Sequence, residues 1–241
     1  MRVIRFRLRG KLGHFLRAEA NVDGLTYPVP PPTALLGLVG AVLGLGKDEP
    51  QEKLAGARLA VAARNGLPLR FWHTTNIRKD PPAPLPQRVK RSDRGTSSAQ
   101  RNMRFAQEWL WRPDYLVWAS LPEPYHDDLL DRLQERRWHF TPCMGLASMF
   151  ADLEEPQEIE ASPLASGVYS VVSIAPQDAG ELEMEAAFSE GLTLQSLSMS
   201  NRVDGTRTFQ HRAYWLETQG RPFPFRTNDA FQCGDAVVVW L

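Results

Sequence analysis

The stretch 21-NVDGLTYPVPPPTALLGLVGAVLG-44 sets four prolines within five residues, Pro28 to Pro32, directly in front of an apolar, glycine-dotted run. Proline holds φ at about −65° and has no backbone N–H, so this segment is a stiff, extended lead that pins where the next helix starts. Thr33 is the expected N-cap, and TALLGLVGAVLGL the helix. Gly37, Gly40 and Gly44 recur at spacings of three and four and so share one stripe of that helix. Each costs about 1 kcal/mol relative to alanine in a helix interior, so the stripe implies close packing or a close ligand. The apolar run from Ala34 to Leu45 has 12 residues, against about 20 needed to cross a bilayer. No basic start, apolar run and small-residue cleavage site open the chain, so the expectation is a cytoplasmic protein with no membrane partner.

Upstream, VIRFRLRG alternates Val3, Ile4, Phe6 and Leu8 with Arg5, Arg7 and Arg9, the period of a strand with one buried face and one guanidinium face. Three arginines on one face repel one another unless something anionic lies across them. Downstream, LAGARLAVAARNG and LPLRFWHTTNIRK read as two strands joined in a hairpin at Asn65-Gly66. From Lys79 to Arg104 the chain carries four prolines and seven Lys/Arg against two acids. It cannot bury a core there, and reads as a projecting loop or long hairpin. RFAQEWLWRPDYLVWASLP resumes strand character, Tyr125, Leu129, Leu130 and Leu133 share a helix face, and FTPCMGLASMFADL is a glycine-bearing turn. The order approaches a split βαβ pair with a basic insertion.

The 241 residues carry no net charge, yet residues 1–112 hold 20 Lys/Arg against 8 Asp/Glu and residues 113–241 hold 8 against 20, adding to the 28 of each. Between Arg137 and Arg202 there is no Lys or Arg. Either the two halves meet different partners, phosphates on the first and a basic neighbour on the second, or they neutralise each other across the fold. Residues 154–241, strand-like throughout, are expected to form a small, mostly β domain after a first domain over 1–153.

Catalytic motifs fail. Ala41 and Asp48 stand where a phosphate-binding loop needs Gly and Ser or Thr, and no GxSxG elbow occurs. The five histidines have no i, i+4 pair, and Cys143 and Cys233 have no metal-like spacing. No metal or cofactor is expected. Nucleic-acid binding survives: cations interleave with rings at Arg5 and Phe6, at His14, Phe15 and Arg17, at Arg70, Phe71 and Trp72, and at Arg104 and Phe105, a mixture that grips phosphates and stacks splayed bases. Arg88, Lys90, Arg91, Arg94, Arg101 and Arg104 crowd one coreless excursion, and gain most by replacing counterions on a phosphate chain.

The segment FRLRGKLGHFLRAEANVDGLTYPVPPPTALLGLVGAVLGL resembles the N-terminal signature of the CRISPR-associated Cas-five family, RAMP subunits of type I surveillance complexes (Cascade), and FTPCMGLASMFADL resembles that family's later glycine loop. The resemblance implies an α+β fold: a ferredoxin-like or RRM-like domain, a protruding basic β-hairpin thumb at about 79–104, and a small β domain. It also implies a non-catalytic subunit in antiviral defence that caps the 5′ handle of the crRNA. Such a subunit touches the backbone subunit and the large PAM-recognising subunit, and lies near the PAM-proximal end of the target DNA. It adds Lys11, Asn21, Tyr27, Thr33, Arg78, Met144 and Gly145 to the expected RNA contacts, with the amides of the first helix facing phosphates. One branch, in type I-C systems, is a metal-independent endoribonuclease using Tyr, Lys and His. Here GAVLGLGKDEP lacks the Tyr and no Lys-His dipeptide follows the thumb, so no nuclease activity is expected; a substitute site would have to come from His14, Tyr27 and Lys11.

Overall fold

A computed structural model describes residues 1–20, 23–78, 102–206 and 208–241. The alternating strand β1, Arg2–Gly10, is the axis of the molecule. It is followed by β2 (Leu12–Gly13), α1 (Pro32–Leu43), α2 (Glu49–Lys53), β3 (Arg58–Ala63), β4 (Leu69–Arg78), β5 (Asn102–Trp111), β6 (Asp114–Ser120), α3 (Tyr125–Glu135) and β7 (Ala151–Pro163). The six-stranded sheet runs β15-β14-β7-β1-β6-β3, every neighbouring pair antiparallel, with β14 (Ala230–Cys233) and β15 (Ala236–Val239) closing the chain. Ile4, Phe6 and Leu8 are buried with Leu35, Val39 and Val42 of α1 and Leu129 and Leu133 of α3 in one core.

The proline run acts as expected and Thr33 does not. Pro31 occupies the N-cap position with extended backbone and Pro32 begins α1, with no side-chain cap. The amides of Ala34 and Leu35 both donate to the Pro31 carbonyl. Pro32 has none to give, so a row of free amides awaiting a phosphate is not present. Thr33 turns aside to Ser200 of β11 (Leu194–Val203), with Oγ1 2.8 Å from the serine hydroxyl. This second layer explains why α1 is apolar all round: β11 and β12 (Phe209–Glu217) contribute Leu197, Met199, Tyr214 and Leu216 to the same core. The three helix glycines separate by role. A Cβ on Gly40 would lie 2.5 Å from Pro50 Cγ, so Gly40 admits α2; Gly44 adopts φ 83° and ends the helix; a Cβ on Gly37 would meet nothing within 4 Å.

Two further expectations need correction. Asn65-Gly66 does not join β3 to β4 as a hairpin. β3 pairs with β6, and its other edge is taken where Ile174 N donates to Val61 O and Leu241 N to Leu59 O. The turn instead diverts the chain into a separate sheet, β2-β5-β4, tied by Leu67 N to Thr218 O. The expected boundary at 153/154 falls inside β7, and β14 pairs with that same strand. The residues beyond β7 thus contribute to the central sheet as well as to two three-stranded sheets, one of β8 (Gly167–Val171), β10 (Gly180–Leu182) and β13 (Phe223–Thr227), the other of β9 (Ala175–Pro176), β11 and β12. Between these small sheets' strands lies α4 (Met184–Ser189). β4 and β5 pair without a break from Leu69↔Trp111 to Arg78↔Asn102. Residues 79–101, with Arg88, Lys90, Arg91, Arg94 and Arg101, lie outside the described residues, as does Asn21.

Candidate nucleic-acid interface

Three groups of expected contacts can be followed from their strands outward. On β1, alternation sends Phe6 into the core and Arg5, Arg7 and Arg9 to the opposite face, so Arg5 and Phe6 do not share a surface. The anions across this arginine face are the chain's own carboxylates, from β7, from Asp114 of β6 and from Asp235 in the β14–β15 turn. Arg7 makes a two-pronged bond to Asp114 at 2.8 and 2.7 Å. A bulge in β7, with Glu155 at φ 53°, sets both Glu154 and Glu155 within 3.7 Å of the same guanidinium. Arg9 meets Glu154 at 2.9 Å, and Arg5 meets Gln157 at 2.5 Å and Asp235 at 3.4 Å. Arg2 gathers Glu123, Asp127 and Glu158. Four of the first half's cations are therefore paired with carboxylates of the second half around this one strand.

The loop from Lys11 to Tyr27 packs on the glycine turn. His14 is 2% exposed; its Nδ1 donates to the Glu108 carbonyl at 2.8 Å and its amide to the Met144 carbonyl. Phe15, Tyr27 and Met144 are buried too. Gly145 has φ 91°, and any Cβ there would overlap the His14 carbonyl oxygen, so the turn requires glycine. Arg17 lies 5.6 Å from the Tyr27 ring centre and pairs with Glu19 at 2.6 Å. Burial pushes the Tyr27 phenol up. Burial also acts upward on the Glu19 carboxyl, but a backbone hydrogen bond and the Arg17 guanidinium hold it below the usual carboxylate range. His14, Tyr27 and Met144 are thus buried behind a groove that only Phe15 of the four lines. It measures about 250 Å³ and opens between Phe15, the Gly37 and Ala41 face of α1, and the loop carrying Thr141, Cys143 and Gly145. Thr33, facing Ser200, is not among the residues lining it.

The third group lies on β4 and β5. Register puts Leu69, Phe71, His73 and Thr75 on one face with Trp111, Trp109, Gln107 and Phe105. His73 stacks on Trp109 at 3.8 Å, and Phe71 stands edge-on to Trp109 and Trp111 at 6.1 and 6.2 Å. Arg70 and Trp72 take the other face, where Arg70 lies 3.5 Å from Glu108. The expected trio of Arg70, Phe71 and Trp72 is split across the sheet. Exposed Lys11 and Arg112 meet at the Trp111 end, where Arg112 N donates to Lys11 O and Leu12 pairs Trp111. Among the described residues neither they nor exposed Arg104 forms an ion pair. Trp109, Trp111 and Arg112 escaped sequence reasoning. The signal was there in EWLWR, two tryptophans two apart and so on one face of a strand.

The model of the family described as CRISPR-associated protein (Cas_Cas5) matches residues 3–218. The chain belongs to this CRISPR-associated Cas-five family. Its fold resembles a crystal structure of a CRISPR protein from Archaeoglobus fulgidus, with TM-score 0.60 and 14% identity over 99% of this chain and 98% of the other. It also resembles a chain of a CRISPR RNA-guided surveillance complex, with TM-score 0.54 and 15% identity over 92% and 91%. No curated protein sequence matches. The two likenesses carry the α+β Cas-five fold. No helix among the described residues is long and apolar enough to cross a membrane.

Proposed function

We propose that this Cas-five chain is a non-catalytic subunit of a type I CRISPR surveillance complex, of the I-B kind, and that it binds and caps the 5′ handle of the crRNA. The observation that carries this reading is the sorting of the cations. The arginines of β1 are paired with carboxylates of β7, β6 and the β14–β15 turn, while Lys11, Arg104 and Arg112 stay unpaired among the described residues, on or beside the aromatic β4–β5 hairpin. Unpaired cations gain most from a phosphate chain. The element order β1-α1-β3, β6-α3-β7 with sheet order β7-β1-β6-β3 suits a ferredoxin-like or RRM-like unit, and β4 and β5 suit the stem of a thumb carrying the basic run 79–101.

The acidic side suits protein partners, the backbone and large subunits. On α4, Met184 is 63% and Phe188 87% exposed, with Glu181, Glu185 and Glu190 around them, an apolar knob that repels phosphates and fits a basic protein surface. Target DNA would approach from the hairpin side.

The burial of His14, whose Nδ1 donates to a carbonyl, and of Tyr27 supports the non-catalytic reading, since a base or acid must come within hydrogen-bond reach of a ribose 2′-OH. Incubating the purified chain with repeat RNA in EDTA tests the reading. Intact RNA in a retained, salt-sensitive complex is expected, and a cut within the repeat would sink it in favour of the processing endoribonuclease.

A further inference from the structure

Resting on that RNA-binding reading, we infer that the ring cluster of Phe71, His73, Trp109 and Trp111 is a stacking platform for unpaired bases of single-stranded RNA, formed by the β4–β5 sheet itself and independent of residues 79–101. The rings already touch one another, His73 flat on Trp109 and Phe71 edge-on to both tryptophans. They therefore present a pre-set surface that loses little freedom when a base lands on it. It is left open to solvent: Trp111 is 53% and Phe71 37% exposed, next to exposed Leu69. Apolar surface this continuous on a sheet face marks an interaction site.

Charge selects the occupant. None of the eight residues that register places on this face between Leu69 and Thr75 and between Phe105 and Trp111 is acidic. The one carboxylate within strands β4 and β5, Glu108, points the other way, to Arg70 and to the Thr26 amide at 3.1 Å. Lys11 and Arg112 stand at the Trp111 end, and Arg112 is held there at φ 48° in the turn from β5 to β6. Bare rings beside unpaired cations match a polymer with flat apolar bases on an anionic chain. The bases would lie on Trp111 and Phe71 while Lys11 and Arg112 hold the flanking phosphates.

The full chain is titrated with a short oligouridylate and with an equal-length RNA whose residues are abasic, at several salt concentrations. Oligouridylate is expected to bind more tightly than the abasic chain. Trp111→Ala and Phe71→Ala each weaken oligouridylate binding by about 5- to 150-fold. They leave the salt slope and the abasic affinity unchanged, while Trp111→Phe keeps most of the affinity and thermal melting shows the variants folded. Equal binding of base-bearing and abasic RNA would overturn the platform and leave the RNA-binding reading standing. So would Trp111→Ala binding oligouridylate like the wild type, whether or not the face then proves to hold an apolar protein segment. Binding of neither RNA at low salt would overturn both.

Discussion

At Gly145 two demands coincide on one residue. Its φ of 91° is a conformation that L side chains avoid, and its hydrogen atom faces the His14 carbonyl oxygen where a Cβ would overlap. Backbone strain of about 1–3 kcal/mol and overpacking of about 1–3 kcal/mol add, because the obstacle is backbone and cannot swing away. Gly145→Ala is therefore expected to destabilise the chain by about 2–6 kcal/mol in urea unfolding and to loosen the wall of the α1 groove. A loss below 1 kcal/mol would mean that the 10–15 loop and the glycine turn do not pack as described. The same residue shows what a single sequence can convey: a glycine after Met144 announces a turn, whereas the carbonyl it shelters lies 131 positions earlier in the chain and no local pattern points to it.

Among elements, α1 shows how three glycines at helical spacing come to differ. Gly40 faces Pro50 of α2, with 2.5 Å between a hypothetical Cβ and Pro50 Cγ, whereas Gly37 faces open space above the groove. Alanine gains about 1 kcal/mol of helix propensity at either site; at Gly40 overpacking against a rigid ring offsets this by about 1–3 kcal/mol. Gly37→Ala should raise the melting temperature and Gly40→Ala lower it. Equal shifts of the same sign would contradict the packing of α2 on α1. If RNA fills the groove, Gly37→Ala also weakens handle binding while stabilising the free chain, a combination that a purely structural glycine would not produce. The strands β1, β4 and β5 were legible because period-two alternation is local, and the helix start because proline fixes its own φ. Asn65-Gly66 misled because a turn dictates φ and not the partner strand: β3's edges were already spoken for by β6 and by the backbone of Ile174 and Leu241. The partner of His126 on α3 was equally illegible, since only tertiary packing buries that histidine and brings its Nε2 to 3.3 Å from Glu158.

Across the whole molecule, charge arithmetic over sequence halves proved true as a sum and misleading as a map. The basic strand β1 and the acidic strand β7 are neighbours in one sheet, so much of the apparent polarity cancels where it is densest. What remains among the described residues includes an unpaired cationic edge at Lys11 and Arg112 on one part of the surface and the acidic, apolar α4 knob on another. Exposed ion pairs contribute little to stability, about 0–1 kcal/mol each, so the consequence of this pairing is felt in binding. A guanidinium already facing two carboxylates must give up those partners to take a phosphate, and the exchange releases few counterions. A cation facing only water releases one for each phosphate it meets, steepening the salt dependence by about 0.7 per contact on single-stranded RNA. Lys11→Ala and Arg112→Ala should each flatten the log–log slope of RNA affinity against salt by about that amount, and together by about twice it. Arg5→Ala and Arg9→Ala should leave the slope unchanged, because Gln157, Asp235, Asp152 and Glu154 already hold those side chains. The converse result, a slope flattened by the β1 variants and indifferent to Lys11 and Arg112, would place the RNA across the central sheet and move the interface away from the hairpin.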